Sequence, residues 1–111
     1  MRKLKELREF KDLLGSLVLR APDNLRYSFL SEAEQPTLDS EFIRLREGLE
    51  LLPKKLKNSP LLCEIERLLD EALAAYKGGE RLKGAHLLQD IEDIVNPGRF
   101  VEYAARKGIP L

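Results

Sequence analysis

The segment 59–95 constrains the fold of this chain most, because it carries the start, the break and the periodicity of a helical hairpin. Ser59-Pro60 is typical of a helix start, since a serine N-cap precedes a proline at the first helical position, where no N–H is needed. Gly78-Gly79 interrupts the apolar pattern and predicts the turn between the two helices. The apolar residues recur at steps of three and four: Leu61, Ile65, Leu68, Ala72 and Tyr76, then Leu87, Leu88, Ile91, Ile94 and Val95.

The rest of the chain also shows helical periodicity. A first helix is expected from about Arg2 to Leu19, with Gly15-Ser16 as a possible kink or early end. A second helix is expected from Thr37 or Asp39, and we expect it to kink at Pro53 or to end just before it. Its apolar stripe has heptad spacing: Phe42, Leu45, Leu49, Leu52 and Leu56.

A short C-terminal helix completes the expected architecture. Asn96-Pro97 is typical of its start, and Gly108 of its end. The segment 21–36 has turn-forming residues and only a weak strand pattern, so we expect an ordered loop or a single helical turn. The sequence therefore predicts an all-α fold in one domain, residues 1–111. The fold is an up-down bundle of four main helices, a short C-terminal helix and an irregular segment between the first two.

Composition excludes several classes of function. Nineteen basic residues balance nineteen acidic ones, whereas nucleic-acid binders usually carry a basic excess. The single cysteine, Cys63, allows no internal disulfide, which favours a reducing compartment. No secretory signal pattern and no apolar run of about 20 residues is present. We expect a cytoplasmic protein that binds neither nucleic acid nor membranes.

The sequence contains no recognisable catalytic set. Cys63 is surrounded by leucine and isoleucine and is expected to be a buried or boundary residue. No Gly-x-Ser-x-Gly motif and no glycine-rich phosphate loop occur. His86, Asp90 and Asp93 share one helix face and could bind a divalent metal, but a solvated polar face is the commoner arrangement. We therefore predict a protein that is not an enzyme and has no cofactor or metal.

Two groups of residues are the candidates for binding a partner protein. Arg26, Tyr27 and Phe29 are of types that are enriched at interfaces, although such aromatics can also cap the core of a bundle. The second group is acidic and could contact a basic partner, although a solvated helix face is the commoner explanation. It consists of Glu64, Glu66, Asp70, Glu71, Asp90 and Asp93.

These observations favour a non-catalytic protein-binding module. Its specific form would be an inhibitor of the immunity-protein or antitoxin type, which binds and masks a partner such as a toxin or effector. An alternative is a homo-oligomeric structural or adaptor protein, in which the stripe from Phe42 to Leu56 pairs with its own copy as a homodimer. A third hypothesis is a small metal-binding sensor or enzyme that uses His86, Asp90 and Asp93.

Overall fold

Helices form all the regular structure in the part of the chain that the computed structural model describes, residues 3–96 and 98–111. The helices are α1 (Leu7–Arg20), α2 (Leu38–Glu47), α3 (Lys54–Lys57), α4 (Leu61–Lys77), α5 (Arg81–Val95) and α6 (Phe100–Lys107). Single 3₁₀ turns occupy Glu32–Glu34 and Gly48–Leu51. The predicted all-α fold is confirmed: α1, α2, α4 and α5 are the main helices, and α6 is the short C-terminal one.

The hairpin of α4 and α5 forms the centre of the bundle. These two helices make the most extensive contact, while α1 packs on α5 and α2 packs on α4. The core therefore lies between the hairpin and the two outer helices, and it consists mainly of aliphatic side chains together with the buried aromatic residues Phe10, Phe42, Tyr76 and Tyr103. Its fully buried residues include Leu14, Leu17, Leu45, Leu61, Ile65, Leu68, Leu69, Leu88, Ile91 and Ile94. Nine of the ten apolar residues that mark the hairpin in the sequence are buried, whereas Leu87 is half-buried. The same apolar row would also include Leu82, which is 75% exposed, so the periodicity fails at the start of α5.

Helix α1 begins later than predicted. The predicted start, Arg2, lies outside the described residues, and the helix starts at Leu7. The side chain of Glu9 accepts hydrogen bonds from the backbone N–H groups of Lys5 (2.9 Å) and Glu6 (3.1 Å), which places the helix start here. Gly15 does not end the helix, which continues to Arg20.

Helix α4 begins at Leu61 with Pro60 as its N-cap, one residue later than predicted, and the Ser59 side chain still binds the first helical N–H. Its Oγ accepts a hydrogen bond from the Leu61 N–H at 3.1 Å and donates one to the Leu56 carbonyl at 2.8 Å. For α6, the predicted start includes Pro97, which lies outside the described residues, and the helix begins at Phe100. Its predicted end is confirmed, since Gly108 adopts the left-handed conformation (φ +71°).

The apolar stripe that begins in α2 extends beyond that helix, because the backbone changes from an α-helix to a 3₁₀ turn before Pro53. The α-helix ends at Glu47, a 3₁₀ turn follows, and α3 is a single turn after the proline. A proline ring would clash with the carbonyl four residues earlier in a continuous helix, which explains this interruption. All five stripe residues, from Phe42 to Leu56, are buried inside the chain itself. The stripe is therefore not available as a surface for a homodimer.

Candidate protein-binding surface

The loop between α1 and α2 has a defined shape because Gln35 binds its backbone. The Gln35 Nε2 donates hydrogen bonds to the carbonyls of Tyr27 (2.7 Å) and Leu30 (2.9 Å). Its Oε1 accepts one from the Tyr27 N–H at 2.8 Å. Leu25 anchors the same loop in the core, where it is buried. The predicted irregular segment is thus an ordered loop, and the described residues within it form no strand.

The aromatic residues of this loop differ sharply in their exposure. Phe29 is 80% exposed, whereas Tyr27 is half-buried. Their ring centroids lie 5.4 Å apart, and the guanidinium of Arg20 lies 4.1 Å above the Tyr27 ring. Because Phe29 points to solvent, it does not cap the core. It forms the tip of what we name the aromatic loop, residues 26–30.

Arg26 is matched by a charge from its own loop. Its guanidinium binds both carboxylate oxygens of Glu32, one of them at 3.1 Å. This contact holds the pKa of the Glu32 carboxyl below its ordinary value, chiefly through the hydrogen bond and also through the opposite charge. Both side chains are exposed, so the pair adds little to stability. The charge of Arg26 is thus matched within the chain, and the exposed ring of Phe29 lies in the same loop.

The predicted acidic residues are largely paired with arginines of the same chain. Arg67 binds Glu64 with Nε (2.8 Å) and Nη2 (2.9 Å), and it binds Glu71 with Nη1. Asp70 pairs with Arg46 of α2. The net negative field of this face is therefore weaker than the sequence suggests.

The remaining acidic candidates lie in two further places. Asp93 faces Arg99 at 3.5 Å and Arg106 at 3.9 Å, and half-buried Asp90 lies on the same helix. Glu66 lines a shallow cavity of about 210 Å³ between α2, α3 and α4. The structure thus distributes the acidic group along α4 and α5, apart from the aromatic loop. Its role in partner binding stays a prediction.

A buried hydroxyl connects Glu64 to the C-terminal helix. The Tyr103 hydroxyl donates a hydrogen bond to Glu64 Oε2 at 2.7 Å, and Tyr103 is almost fully buried. The pKa of the Glu64 carboxyl is lowered from its ordinary value of 4.5, mainly by the hydrogen bonds from Arg67. Burial and this carboxylate raise the pKa of the Tyr103 phenol. Glu64 therefore serves to hold α6 against α4.

Removing the Tyr103 hydroxyl tests this role. We expect Tyr103→Phe to lower the free energy of unfolding by about 1–2 kcal/mol at pH 7, since the carboxylate loses a buried donor. Because the pKa of Glu64 is lower in the folded chain, the carboxylate stabilises the fold fully above pH 4.5. That contribution disappears as the pH falls through the folded value, so the deficit of the variant should shrink there. Urea denaturation at several pH values measures both effects.

Tyr76→Phe is the matched control for this change. The Tyr76 hydroxyl is buried and has no hydrogen-bond partner among the described residues. Removing an unsatisfied buried hydroxyl should leave stability unchanged or raise it by up to about 1 kcal/mol. Equal losses from the two tyrosine variants would contradict the proposed contact between Tyr103 and Glu64.

A cleft that the sequence did not reveal lies beside Tyr27. It has a volume of about 300 Å³ and lies between α1, α2 and the loop; its lining is Leu4, Glu9, Asp12, Leu13, Ser16, Tyr27, Glu41 and Arg44. Glu41 is the one buried charged residue in the described part of the chain, with 3% exposure. Its Oε2 accepts a hydrogen bond from Arg44 Nη1 at 2.8 Å, whereas Oε1 has no partner among the described residues.

The sequence offered only a faint signal for this cleft. Glu41 directly precedes Phe42 and lies four residues before Leu45, which places it at the edge of the buried stripe. Asp12 and Glu9 look like ordinary charges on an exposed helix. Only the packing of α1 beside α2 brings these carboxylates together.

The other chemical candidates do not assemble into a site. Within residues 3–96 and 98–111, no group of three or more His, Cys, Asp or Glu side chains could hold a metal ion. His86, Asp90 and Asp93 therefore form no such group. Cys63 is exposed, so its expected burial was wrong: it lies on the outer side of the first turn of α4.

Two further findings concern membrane-spanning helices and similarity to known proteins. No helix among the described residues is both long enough and apolar enough to cross a membrane. No family model, no curated protein and no solved structure matches this chain. The function is therefore inferred from the geometry of the chain itself.

Proposed function

We propose that this chain is a non-catalytic protein-binding module of the cytoplasm. Its specific form would be an inhibitor of the immunity-protein or antitoxin type, which covers the active site of a partner protein. The observation that carries this proposal is Phe29: an aromatic side chain is 80% exposed on a loop that Gln35 and Leu25 hold in place.

An exposed aromatic side chain on an ordered loop gains free energy when a partner protein covers it. Burial of a phenylalanine in a partner's pocket removes apolar surface from water and contributes about 1.5–3 kcal/mol. Because the loop is already ordered by hydrogen bonds within the chain, little conformational entropy is lost when it binds. The aromatic loop therefore meets the two requirements of an interface anchor, which are apolar area and preorganisation.

An inhibitor of this type needs no chemistry of its own. It acts by covering a partner's surface, and a small bundle with one anchor and a mixed-charge periphery suffices for that. In this proposal the aromatic loop is the centre of the interface. The acidic residues on α4 and α5, already paired with arginines, would serve as peripheral contacts that set orientation and specificity.

Partner capture with a single anchor variant tests the proposal. The tagged chain is incubated with host lysate, cross-linked, and its stoichiometric partners are identified by mass spectrometry. Candidate toxins encoded beside its gene are then assayed for inhibition by the purified chain. We expect Phe29→Ala to weaken binding and inhibition by about 30-fold or more, as for an interface hot spot.

Leu82→Ala is the matched control, because Leu82 is 75% exposed and lies on α5, outside the loop. It should bind the partner as tightly as the unmodified chain. If Phe29→Ala also binds unchanged, the aromatic loop is not the interface. If the chain captures no stoichiometric partner and inhibits none of the candidate toxins, the proposed function is wrong.

A further inference from the structure

We infer that an apolar cavity beside the start of α1 binds a small carboxylic acid as its anion, with an apolar body about the size of one six-membered ring. The cavity has a volume of about 180 Å³ and lies where the start of α1, α3, the end of α5 and the start of α6 meet. The aromatic loop follows the other end of α1, about 20 Å farther along the helix axis. The inference therefore does not depend on the proposed function.

The cavity has a buried apolar floor and more exposed apolar walls. Its apolar lining consists of Leu7, Pro53, Leu56, Ile94, Val95 and Phe100. Leu56, Ile94 and Val95 are buried and form the floor, whereas Leu7 and Phe100 are half-buried and Pro53 is exposed. The walls thus keep apolar surface in contact with water, and a ligand that covers this surface gains free energy.

The volume of the cavity limits the size of the ligand. An apolar cavity of about 150 Å³ in another protein holds one benzene molecule. A cavity of about 180 Å³ therefore admits one ring, or a branched chain of about six carbons, and excludes a larger apolar body.

Lys55 sets the charge of the ligand. It is the single charged residue among the described residues of the lining, which include no aspartate or glutamate. Its exposed side chain forms no ion pair or hydrogen bond with the part of the chain that the structure describes. By contrast, Lys57 of the same helical turn donates a hydrogen bond to the Glu50 carbonyl at 3.0 Å. A free ammonium beside an apolar cavity attracts an anion and disfavours a cation.

A carboxylate matches this arrangement because it carries one negative charge and Lys55 supplies one positive charge. Lys55 and Asn96 are both exposed, so they lie at the mouth of the cavity and not at its floor. The Asn96 amide supplies further N–H donors there. The carboxylate would remain hydrated at the mouth while the apolar body enters, which avoids the cost of burying an ion.

The test titrates the ¹⁵N-labelled chain with 3-phenylpropionate and follows its amide resonances by NMR. We expect saturable shifts at Leu7, Lys55, Val95 and Phe100, with a dissociation constant on the order of 1 mM. Nuclear Overhauser effects should connect the phenyl ring of the ligand to the methyl groups of Leu7 and Val95. The neutral 3-phenylpropionamide should bind about threefold to fivefold more weakly. Acetate lacks the apolar body and should give no saturable shift at these residues.

Two matched variants separate the cavity from general electrostatics. Lys54 and Lys55 are adjacent and exposed on α3, and only Lys55 lines the cavity. We expect Lys55→Gln to weaken binding of 3-phenylpropionate about threefold to fivefold and to leave binding of the neutral amide unchanged. Lys54→Gln should leave the binding of both ligands unchanged. Unchanged binding of the amide by Lys55→Gln would also show that the variant keeps its cavity.

Three results would overturn the inference: no saturable shift with 3-phenylpropionate, equal binding of the acid and the amide, or equal effects of the two lysine variants. Two more would assign the cavity to another occupant and overturn it as well. N-acetyl-phenylalanine resembles the end of a protein chain, and its binding about tenfold more tightly than 3-phenylpropionate would indicate a partner's C-terminus. A dimer in light scattering that the acid dissociates would indicate a second copy of this chain.

The failure of this inference is distinct from the failure of the proposed function. If 3-phenylpropionate binds as expected but no partner is captured, the cavity is a ligand site and the proposed function is wrong. If Phe29→Ala abolishes partner capture while the acid gives no saturable shift, the binding module stands and the cavity is not a ligand site.

Discussion

Phe10→Ala is expected to lose about 3–5 kcal/mol of the free energy of unfolding, whereas Phe29→Ala loses less than about 1 kcal/mol. The chemical change is the same in both variants, and only the surroundings differ. Phe10 is fully buried, and its ring lies so close to Gly48 that a Cβ there would come within 2.9 Å of Cδ2. Removing this ring leaves a cavity in the core, while Phe29 is mostly in water already.

Urea denaturation followed by circular dichroism measures both losses. The slope of the free energy against urea should be the same for both variants, which would show that both unfold from a native fold. The comparison also supports the binding experiment, because Phe29→Ala must remain folded for its loss of binding to be informative. A large destabilisation by Phe29→Ala would contradict the exposed position of this ring.

Alanine substitution at two helical glycines is expected to change stability in opposite directions. Gly84 lies inside α5, where alanine would ordinarily stabilise the helix by about 1 kcal/mol. However, a Cβ at this position would come within 2.8 Å of Cζ in the buried ring of Tyr76. Because the ring cannot move freely in the core, we expect Gly84→Ala to lower the free energy of unfolding by about 1–2 kcal/mol.

Gly15→Ala is the matched comparison inside α1. A Cβ there would lie 3.7 Å from Glu92 Oε2, an ordinary contact distance. The helix propensity then dominates, and we expect a gain of about 0.5–1 kcal/mol. Thermal and urea denaturation of both variants measure these changes in the free energy of unfolding. If Gly84→Ala instead raised the free energy of unfolding, α4 and α5 could move apart slightly without loss of stability. That result would contradict the expected steric conflict between the new Cβ and the Tyr76 ring.

The fold could be predicted from the sequence to the extent that its signals are local. Three such signals involve only neighbours within about one helical turn. They are the apolar spacing of three and four residues in segment 59–95, the break at Gly78-Gly79 and the helix end at Gly108. The start of α1 was missed because the Glu9 side chain, and not the apolar pattern, sets it. The exposure of Cys63 was missed because its apolar neighbours occupy the inner face of α4.

The candidate site was less predictable than the fold. The sequence identified the aromatic loop correctly as an ordered segment, but it left open whether Phe29 faces the core or the solvent. It predicted an acidic face on α4 and α5 without the arginines that pair with it, since Arg46 and Arg106 come from other helices. It gave no reason to connect Asp12 with Glu41, which are far apart along the chain.

By itself, therefore, the sequence determined the helices, most of their ends and the faces that form the core. Those properties depend on backbone hydrogen bonds and apolar periodicity, which act between residues close in sequence. Only the tertiary structure decided that Gly84 must accommodate Tyr76, that Phe29 remains in water, and that Glu41 is buried beside a cleft. These outcomes depend on distances between separate helices, and such distances follow from how the whole core packs.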